Sequence, residues 1–169
     1  MIAIQADDRA VLYALRQISG RLGDTAPGLK AIGETLTEST KHRFDTSTGP
    51  DGERWAPNTE TTILRYLGVY KGSFSKTGRI TAKGADRAMS KKPLIGETKS
   101  LSSTISWLLE GNAVLIGSPM IYAGVQQFGA DAHEFGDAPW GDIPAREFLG
   151  VSDEDRREIL DVFSDYLLP

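Results

Sequence analysis

Apolar residues near the start of the chain recur every three or four positions, the spacing of one helix face. They are Val11, Leu15, Ile18 and Leu22. Acidic Asp7 and Asp8 precede them, where a first helical turn favours negative charge, and Gly23 ends the run. The pattern predicts an amphipathic helix that ends at Gly23.

A second run with the same spacing follows a break predicted at Pro27-Gly28. Its apolar members, extended more loosely by a threonine, are Leu29, Ile32, Leu36, Thr40 and Phe44. We predict a second helix that reaches about Asp45. The turn signals of "GPDG" and "APN" then flank Trp55 within residues 46–62. This composition predicts an ordered loop that is pinned by the tryptophan.

The stretch from Arg65 to Lys92 differs from its surroundings in charge and periodicity. It contains eight basic residues and one acidic residue, so its net charge is +7. Because the whole chain carries −4, the rest of the chain carries −11. Glycine and serine interrupt it, and no steady apolar period runs through it. We predict a flexible basic arm or long hairpin over residues 63–95 rather than a packed helix. Its basic residues are Arg65, Lys71, Lys76, Arg79, Lys83, Arg87, Lys91 and Lys92.

The second half of the chain predicts a small sheet and two more helices. Residues 101–109 and 113–116 indicate two strands joined by a tight turn at "EGN". Residues 121–128 start after a proline and end at a glycine, which favours a short helix. Ser152 stands three positions before Asp155 in a capping-box-like arrangement, and an apolar face follows. The last helix is therefore predicted over residues 153–167.

Composition excludes several classes of function. The chain of 169 residues suits one domain, and the absence of cysteine excludes disulfides, thiol nucleophiles and cysteine-based zinc sites. The acidic net charge opposes affinity of the whole molecule for nucleic acid or an anionic membrane. No apolar run approaches the roughly 18 residues of a membrane span, and the start lacks a signal-peptide pattern. We expect a soluble protein that is not exported.

Candidate chemistry is sparse. His42, His133 and Glu134 are the possible metal or acid–base groups, but no ligand spacing such as HExxH accompanies them. "SKTG" lacks the frame of a phosphate loop, and Ser118 lacks the GxSxG elbow of a serine hydrolase. We predict no catalytic residue, no metal, no cofactor and no enzymatic activity.

The basic arm leaves three interpretations open. Clustered Lys and Arg with interleaved Tyr66, Tyr70 and Phe74 form a composition that follows a phosphate backbone and stacks on bases. The same stretch suits a solvated loop, or a segment that orders against an acidic neighbouring subunit. A DNA-binding module acting through residues 65–92 therefore stays as the alternative function.

Four stretches, in order, resemble one family. "FDTSTGPDGERWAPNTETT" (44–62) is similar to its phenylalanine, Pro-Asp-Gly, tryptophan, proline and threonine signature, and "KKPLIGETKSLSSTISW" (91–107) to its ILxxTGxLxxSI strand. "VLIGSPMIYAGVQQFG" (114–129) resembles IGSxxxYAxxHQFG, and "IPAREFLGVSDED" (143–155) resembles IPARPFLGLSxxD. Together they are similar to the virion morphogenesis or tail completion proteins of Mu-like tailed bacteriophages and prophages. The resemblance extends over roughly residues 1–169.

Three positions depart from the family pattern. Residues 96–99 read "GETK" where the family commonly has Thr-Gly, Gln126 stands in place of a common histidine, and Glu147 in place of proline. Because the histidine is absent, this chain would not rely on that position for catalysis or metal binding.

The resemblance implies a structural protein that acts late in assembly, at the head-proximal end of the tail or in the neck. Related proteins form rings, commonly sixfold, around the channel through which DNA passes. The implied partners are further copies of the chain and other tail and neck proteins, and whether the chain is monomeric before assembly stays open. DNA only passes through the channel, and no membrane is involved. The implied location is the virion, with the host cytoplasm during assembly.

The family motifs, together with Trp140 from the linker between two of them, supply candidate interface residues, for which packing inside the domain is the alternative role. They are Trp55, Tyr122, Gln126, Gln127, Phe128, Trp140, Arg146 and Phe148. Arg146 is expected to find a carboxylate or backbone-carbonyl partner, either within the domain or across a subunit boundary. The predicted fold is α+β in a single domain over residues 1–169. It is a small, mainly antiparallel sheet flanked by two N-terminal helices and a C-terminal helix, with a long basic arm or hairpin.

Overall fold

The structure is a computed structural model that describes residues 9–132, 134 and 141–168. This described part contains helices and one antiparallel strand pair, so the predicted α+β class is confirmed. The elements are α1 (Arg9–Gly23), α2 (Ala26–Thr46), α3 (Glu60–Val69), α4 (Ala82–Ser90), α5 (Ser100–Ser103), β1 (Ser106–Glu110), β2 (Ala113–Gly117), α6 (Ala123–Phe128) and α7 (Asp153–Leu167). Asp7, Asp8 and the side chain of Val11 lie outside the described residues.

The chain forms two compact units. The terminal unit contains the residues up to Ser39, Ser106–Gly117 and the residues from Val151 onward. The central unit contains Thr40–Ile105 and Ser118–Gly150. The single domain expected over the whole chain stays a prediction.

In the terminal unit, α1 packs against α7 near the end of each helix. Nη1 of Arg21 donates a hydrogen bond to the backbone oxygen of Tyr166 at 2.6 Å, and the Tyr166 hydroxyl donates to the backbone oxygen of Asp24. The predicted break at Pro27-Gly28 is wrong, because α2 already begins at Ala26. A proline is tolerated in the first helical turn, where its missing N–H would have no partner in the helix.

The β1–β2 hairpin lies in the same unit and turns through Gly111 and Asn112. Trp107 pairs with Ile116 on its half-buried face, while Leu108 and Leu115 stand opposite each other on its exposed face. The predicted first strand starts too early, because residues 100–103 form a helical turn. The physical reason is local: Thr104 donates its hydroxyl hydrogen to the Ser100 carbonyl at 2.7 Å, and serine hydroxyls do the same.

Helix α7 confirms the prediction at both ends. The Ser152 hydroxyl accepts the Asp155 backbone N–H, and the Asp155 carboxylate accepts the Ser152 N–H at 2.7 Å, which completes a capping box. Asp155 is almost fully buried and also accepts a hydrogen bond from Ser39 at 2.5 Å. The cap therefore anchors α7 to α2 as well as starting it.

In the central unit, the expectation of an arm without packed helices is wrong. Helices α3 and α4 occupy about half of residues 63–95, and their N-termini are capped by the side chains of Thr59 and Thr81. Leu67 is fully buried, and Gly84 packs so closely that an added Cβ would lie 2.3 Å from the Ser73 carbonyl oxygen. Each helix buries so few side chains that no long apolar period marks it in the sequence. Whether this stretch is flexible stays a prediction.

Candidate assembly interface

Three aromatic rings from two family motifs meet in the core of the central unit. The Phe44 ring lies 5.3 Å from that of Trp55 and 5.4 Å from that of Phe148, measured between centroids. Nε1 of Trp55 also donates a hydrogen bond to the backbone oxygen of Glu147 at 2.8 Å. Trp55 and Phe148, two candidate interface residues, are therefore buried in their own unit, and the prediction that the tryptophan pins its loop is confirmed.

Arg146 braces the same region from within the unit. Its Nε donates to the Ala56 carbonyl at 2.8 Å and its Nη2 to the Pro57 carbonyl at 2.9 Å. Burial lowers the pKa of Arg146 from its ordinary value, and the two carbonyls supply the hydrogen bonds that the guanidinium loses with water. The sequence left open a carboxylate or a backbone carbonyl as the partner of Arg146, within the domain or across a subunit boundary. The structure shows two backbone carbonyls of the same unit.

The Gln127 side chain binds the backbone of Phe148 and Leu149, just after Arg146 in the chain. Its Oε1 accepts the backbone N–H groups of Phe148 at 3.0 Å and Leu149 at 2.9 Å, while its Nε2 donates to the Leu149 carbonyl at 3.0 Å. The backbone of Gln126 takes part as well, because its carbonyl accepts the Arg146 N–H at 2.8 Å. The short helix and the "IPAREFLG" segment are thus fastened together through side-chain and backbone hydrogen bonds.

Arg43 is a further structural brace of this region, which no motif in the sequence marks. It is buried, and its Nη1 donates to the carbonyls of Phe148 at 3.0 Å and Gly150 at 2.9 Å. An added Cβ at Gly150 would lie 2.6 Å from Cγ of Pro50, so only glycine allows this approach. An arginine beside Phe44 on the apolar face of a predicted helix was the signal available in the sequence.

Helix α6 and the turn before it expose two apolar residues of the "VLIGSPMIYAGVQQFG" motif. Ile121 is 98% exposed and Phe128 is 80% exposed. Ile121 lies in the turn two residues before α6 begins at Ala123, and Phe128 is the last residue of the helix. Gly124 lies between them, and no heavy atom stands within 4 Å of where its Cβ would be. We call Ile121, Gly124 and Phe128 the α6 patch; Tyr122 is also partly exposed.

The cations predicted for the arm fall into two groups. Arg87, Lys91 and Lys92 are engaged inside the central unit, for example by hydrogen bonds from Arg87 to Ser73 at 2.9 Å and from Lys92 to the Asp45 carbonyl at 2.7 Å. The others are exposed and form no salt bridge within the described residues. They are Arg65, Lys71, Lys76, Arg79 and Lys83.

The described residues offer little for catalysis. His42 and Glu134 are exposed, and His133 lies outside the described part, as does Trp140. Within that part, no group of three or more His, Asp or Glu side chains is placed to hold a metal ion. A cavity of about 610 Å³ is lined in part by Lys91, but this ammonium group donates to the backbone oxygen of Ile95. None of the helices described here has the length and apolar character to cross a membrane.

Comparison with known proteins gives one finding. The model of a family described as the phage virion morphogenesis family matches residues 6–168, nearly the whole chain. No curated protein and no solved structure matches it.

Proposed function

The chain belongs to the phage virion morphogenesis family, and from this membership we propose that it completes the tail and joins it to the head. It acts as a ring at the head-proximal end of the tail or in the neck. It caps the tail tube and presents the surface that accepts the DNA-filled head, and it makes and breaks no covalent bond. Its partners are further copies of itself and adjoining tail and neck proteins, with DNA only passing through.

The observation that carries this proposal is that some residues of the family motifs are buried and hydrogen-bonded while others are exposed. Gln127 and Arg146 point inward and hold backbone groups, whereas Ile121 and Phe128 point into solvent. A rigid frame with an exposed apolar face supports a contact surface rather than a reaction site, because apolar area removed from water on docking stabilises the complex. The α6 patch is the surface we propose for the adjoining tail or neck protein.

A joining assay tests the proposal directly. Filled heads and tails are isolated from lysates that lack this protein, mixed with the purified chain, and counted as infectious particles. We expect the wild-type chain to restore infectivity. Failure of the wild-type chain to do so would contradict a role in completion or joining.

Two matched variants test the α6 patch in the same assay. Phe128→Asp is expected to abolish joining without unfolding the protein, because the side chain is exposed. Met89→Asp is the control, since Met89 is 88% exposed in the same unit and lies on α4. Joining by Phe128→Asp at the level of Met89→Asp would rule out the α6 patch as the contact surface.

A further inference from the structure

The turn between α3 and α4, together with the start of α4, presents four cations on a hydrogen-bonded backbone. The backbone N–H of Ser75 donates to the Arg79 carbonyl at 2.8 Å, and that of Thr81 donates to the Ser73 carbonyl at 3.0 Å. Ser73 is fully buried and fixes the base of the turn. We call the exposed cations of this turn and of the start of α4 the basic tip. It consists of Lys71, Lys76, Arg79 and Lys83.

The basic tip lacks a counter-charge of its own. No acidic residue lies between positions 71 and 85. Asp86 follows Lys83 by three residues on α4, but none of the four cations forms a salt bridge within the described part of the chain. Like charges on one short segment repel each other, and an acidic partner relieves that repulsion. The partner is therefore expected to present several negative charges together.

Nucleic acid is the less suitable partner, because two of the three nearby aromatic rings are already engaged and the third, Phe74, is half-buried. The Tyr66 and Tyr70 rings contact each other at 5.0 Å between centroids, with the Lys91 ammonium 4.9 Å from the first and the Arg87 guanidinium 5.0 Å from the second. They are not free to stack on bases. The net charge of −11 outside residues 65–92 also repels a phosphate backbone.

The same chain carries a complementary surface on α7. We call this row of exposed carboxylates the acidic stripe; it consists of Glu154, Glu158, Asp161 and Asp165. Spacings of four, three and four residues place them on one side of the helix, away from its half-buried apolar residues. In the part of the chain that the structure describes, none of them forms a salt bridge, and the Arg156–Asp153 pair lies outside the stripe.

We propose that the basic tip of one copy docks on the acidic stripe of a second copy. This inference rests on the proposed ring and names the contact that builds it. Because tip and stripe are different surfaces, the contact is heterologous: each copy uses its tip on one neighbour and offers its stripe to the other. Repetition of such a contact closes a ring when the rotation between copies allows it.

Charge reversal on the full-length chain tests the contact. One variant carries Lys76→Glu, Arg79→Glu and Lys83→Glu in the tip, and the other carries Glu158→Lys, Asp161→Lys and Asp165→Lys in the stripe. Self-association is measured by analytical ultracentrifugation at low salt. We expect each variant alone to associate at least ~10-fold more weakly than the wild type, because like charges then face each other. An equimolar mixture of the two variants is expected to regain association, since each reversed surface meets its complement.

The control variant changes the net charge of the chain as much as the tip variant does. It reverses three exposed cations outside the tip, Arg16, Lys30 and Arg54, and is expected to associate like the wild type. The proposal is overturned if the wild-type chain stays monomeric at low salt, if the tip variant associates normally, or if the mixture stays dissociated. It is also overturned if the tip variant associates like the wild type but loses binding to duplex DNA, because the tip's partner is then nucleic acid.

Different experiments test the tip–stripe contact and the proposed role in joining heads to tails. Restored association in the mixture together with failed joining of heads and tails would keep the tip–stripe contact and reject the role in joining. Successful joining by a tip variant that associates normally would keep the role and reject the contact.

Discussion

Replacing Gln127 by methionine tests how strongly the two family motifs are fastened together. Methionine matches glutamine in length and keeps the buried volume, so the change removes hydrogen bonds without opening a cavity. It leaves the N–H groups of Phe148 and Leu149 and the Leu149 carbonyl without their side-chain partner. The substitution therefore measures what the hydrogen bonds to the "IPAREFLG" segment contribute to stability, separately from packing.

The magnitude follows from the burial of those three groups. A buried polar group that loses its partner costs about 1–3 kcal/mol. Phe148 is fully buried, whereas Leu149 is half-buried and regains part of its hydrogen bonding from water. We expect the free energy of unfolding to fall by about 3–5 kcal/mol. Because a domain is stable by only about 5–15 kcal/mol, this loss is a large fraction of the total.

Urea unfolding of the full chain measures this effect. We expect the midpoint to fall by about 2 M while the slope of free energy against urea stays unchanged. Gln126→Met is the matched control, because the neighbouring side chain is half-buried and forms no hydrogen bond within the described residues. It should shift the free energy of unfolding by no more than about 0.5 kcal/mol. A loss below about 1 kcal/mol in Gln127→Met would refute the reasoning.

Two further predictions concern packing and ionisation. Gly33→Ala places a Cβ 2.6 Å from Cδ2 of Trp107, in the middle of the indole, and should lower the unfolding free energy by about 1–3 kcal/mol in thermal melts. Gly20→Ala meets no heavy atom within 4 Å and should raise it by about 0.5–1 kcal/mol; equal effects would contradict the close contact. The hydrogen bond from Tyr70 to Glu97 raises the pKa of that phenol above 10.0. Its contribution to stability is therefore present below pH 10.0 and is lost as pH rises through the raised pKa. Glu97→Gln should return the pKa towards its ordinary value in a tyrosinate absorbance titration, and an unchanged titration would show that the bond does not cause the shift.

Sequence patterns predicted the elements whose stabilising contacts are local. Helix α7 has its capping box within four residues and its apolar face on one element, so both ends were predicted. The turn of the hairpin is similarly marked by Gly111 and Asn112, whereas the start of β1 was missed. There, hydroxyl groups that bond backward to carbonyls, including those of Ser103 and Thr104, convert an apparent strand into a helical turn.

Helices α3 and α4 show why a charged, glycine-rich stretch misleads. Their stability comes from threonine caps and from a close backbone approach at Gly84, and neither produces an apolar period. The converse holds in α1, where Leu15 and Leu22 follow the helical period but are exposed. Periodicity indicates which side chains share a face, but it does not show what covers that face.

The sequence motifs supplied candidate residues but not their roles. Arg146 finds its carbonyl partners 90 and 89 residues earlier in the chain, a pairing that no local pattern shows. Gln127 and Phe128 are adjacent in one motif, yet the first is buried and the second is exposed. Only the tertiary structure separates the residues that hold the frame from those available to a partner.

Electron microscopy of an induced lysate, with this gene disrupted by a stop codon, tests the role in completion and joining most directly. The account predicts that DNA-filled heads and separate tails accumulate, and that supplying the intact chain restores joined particles. Tails of abnormal length would place the action at termination of the tail's upper end. Normal, infectious particles in the disrupted lysate would contradict the account.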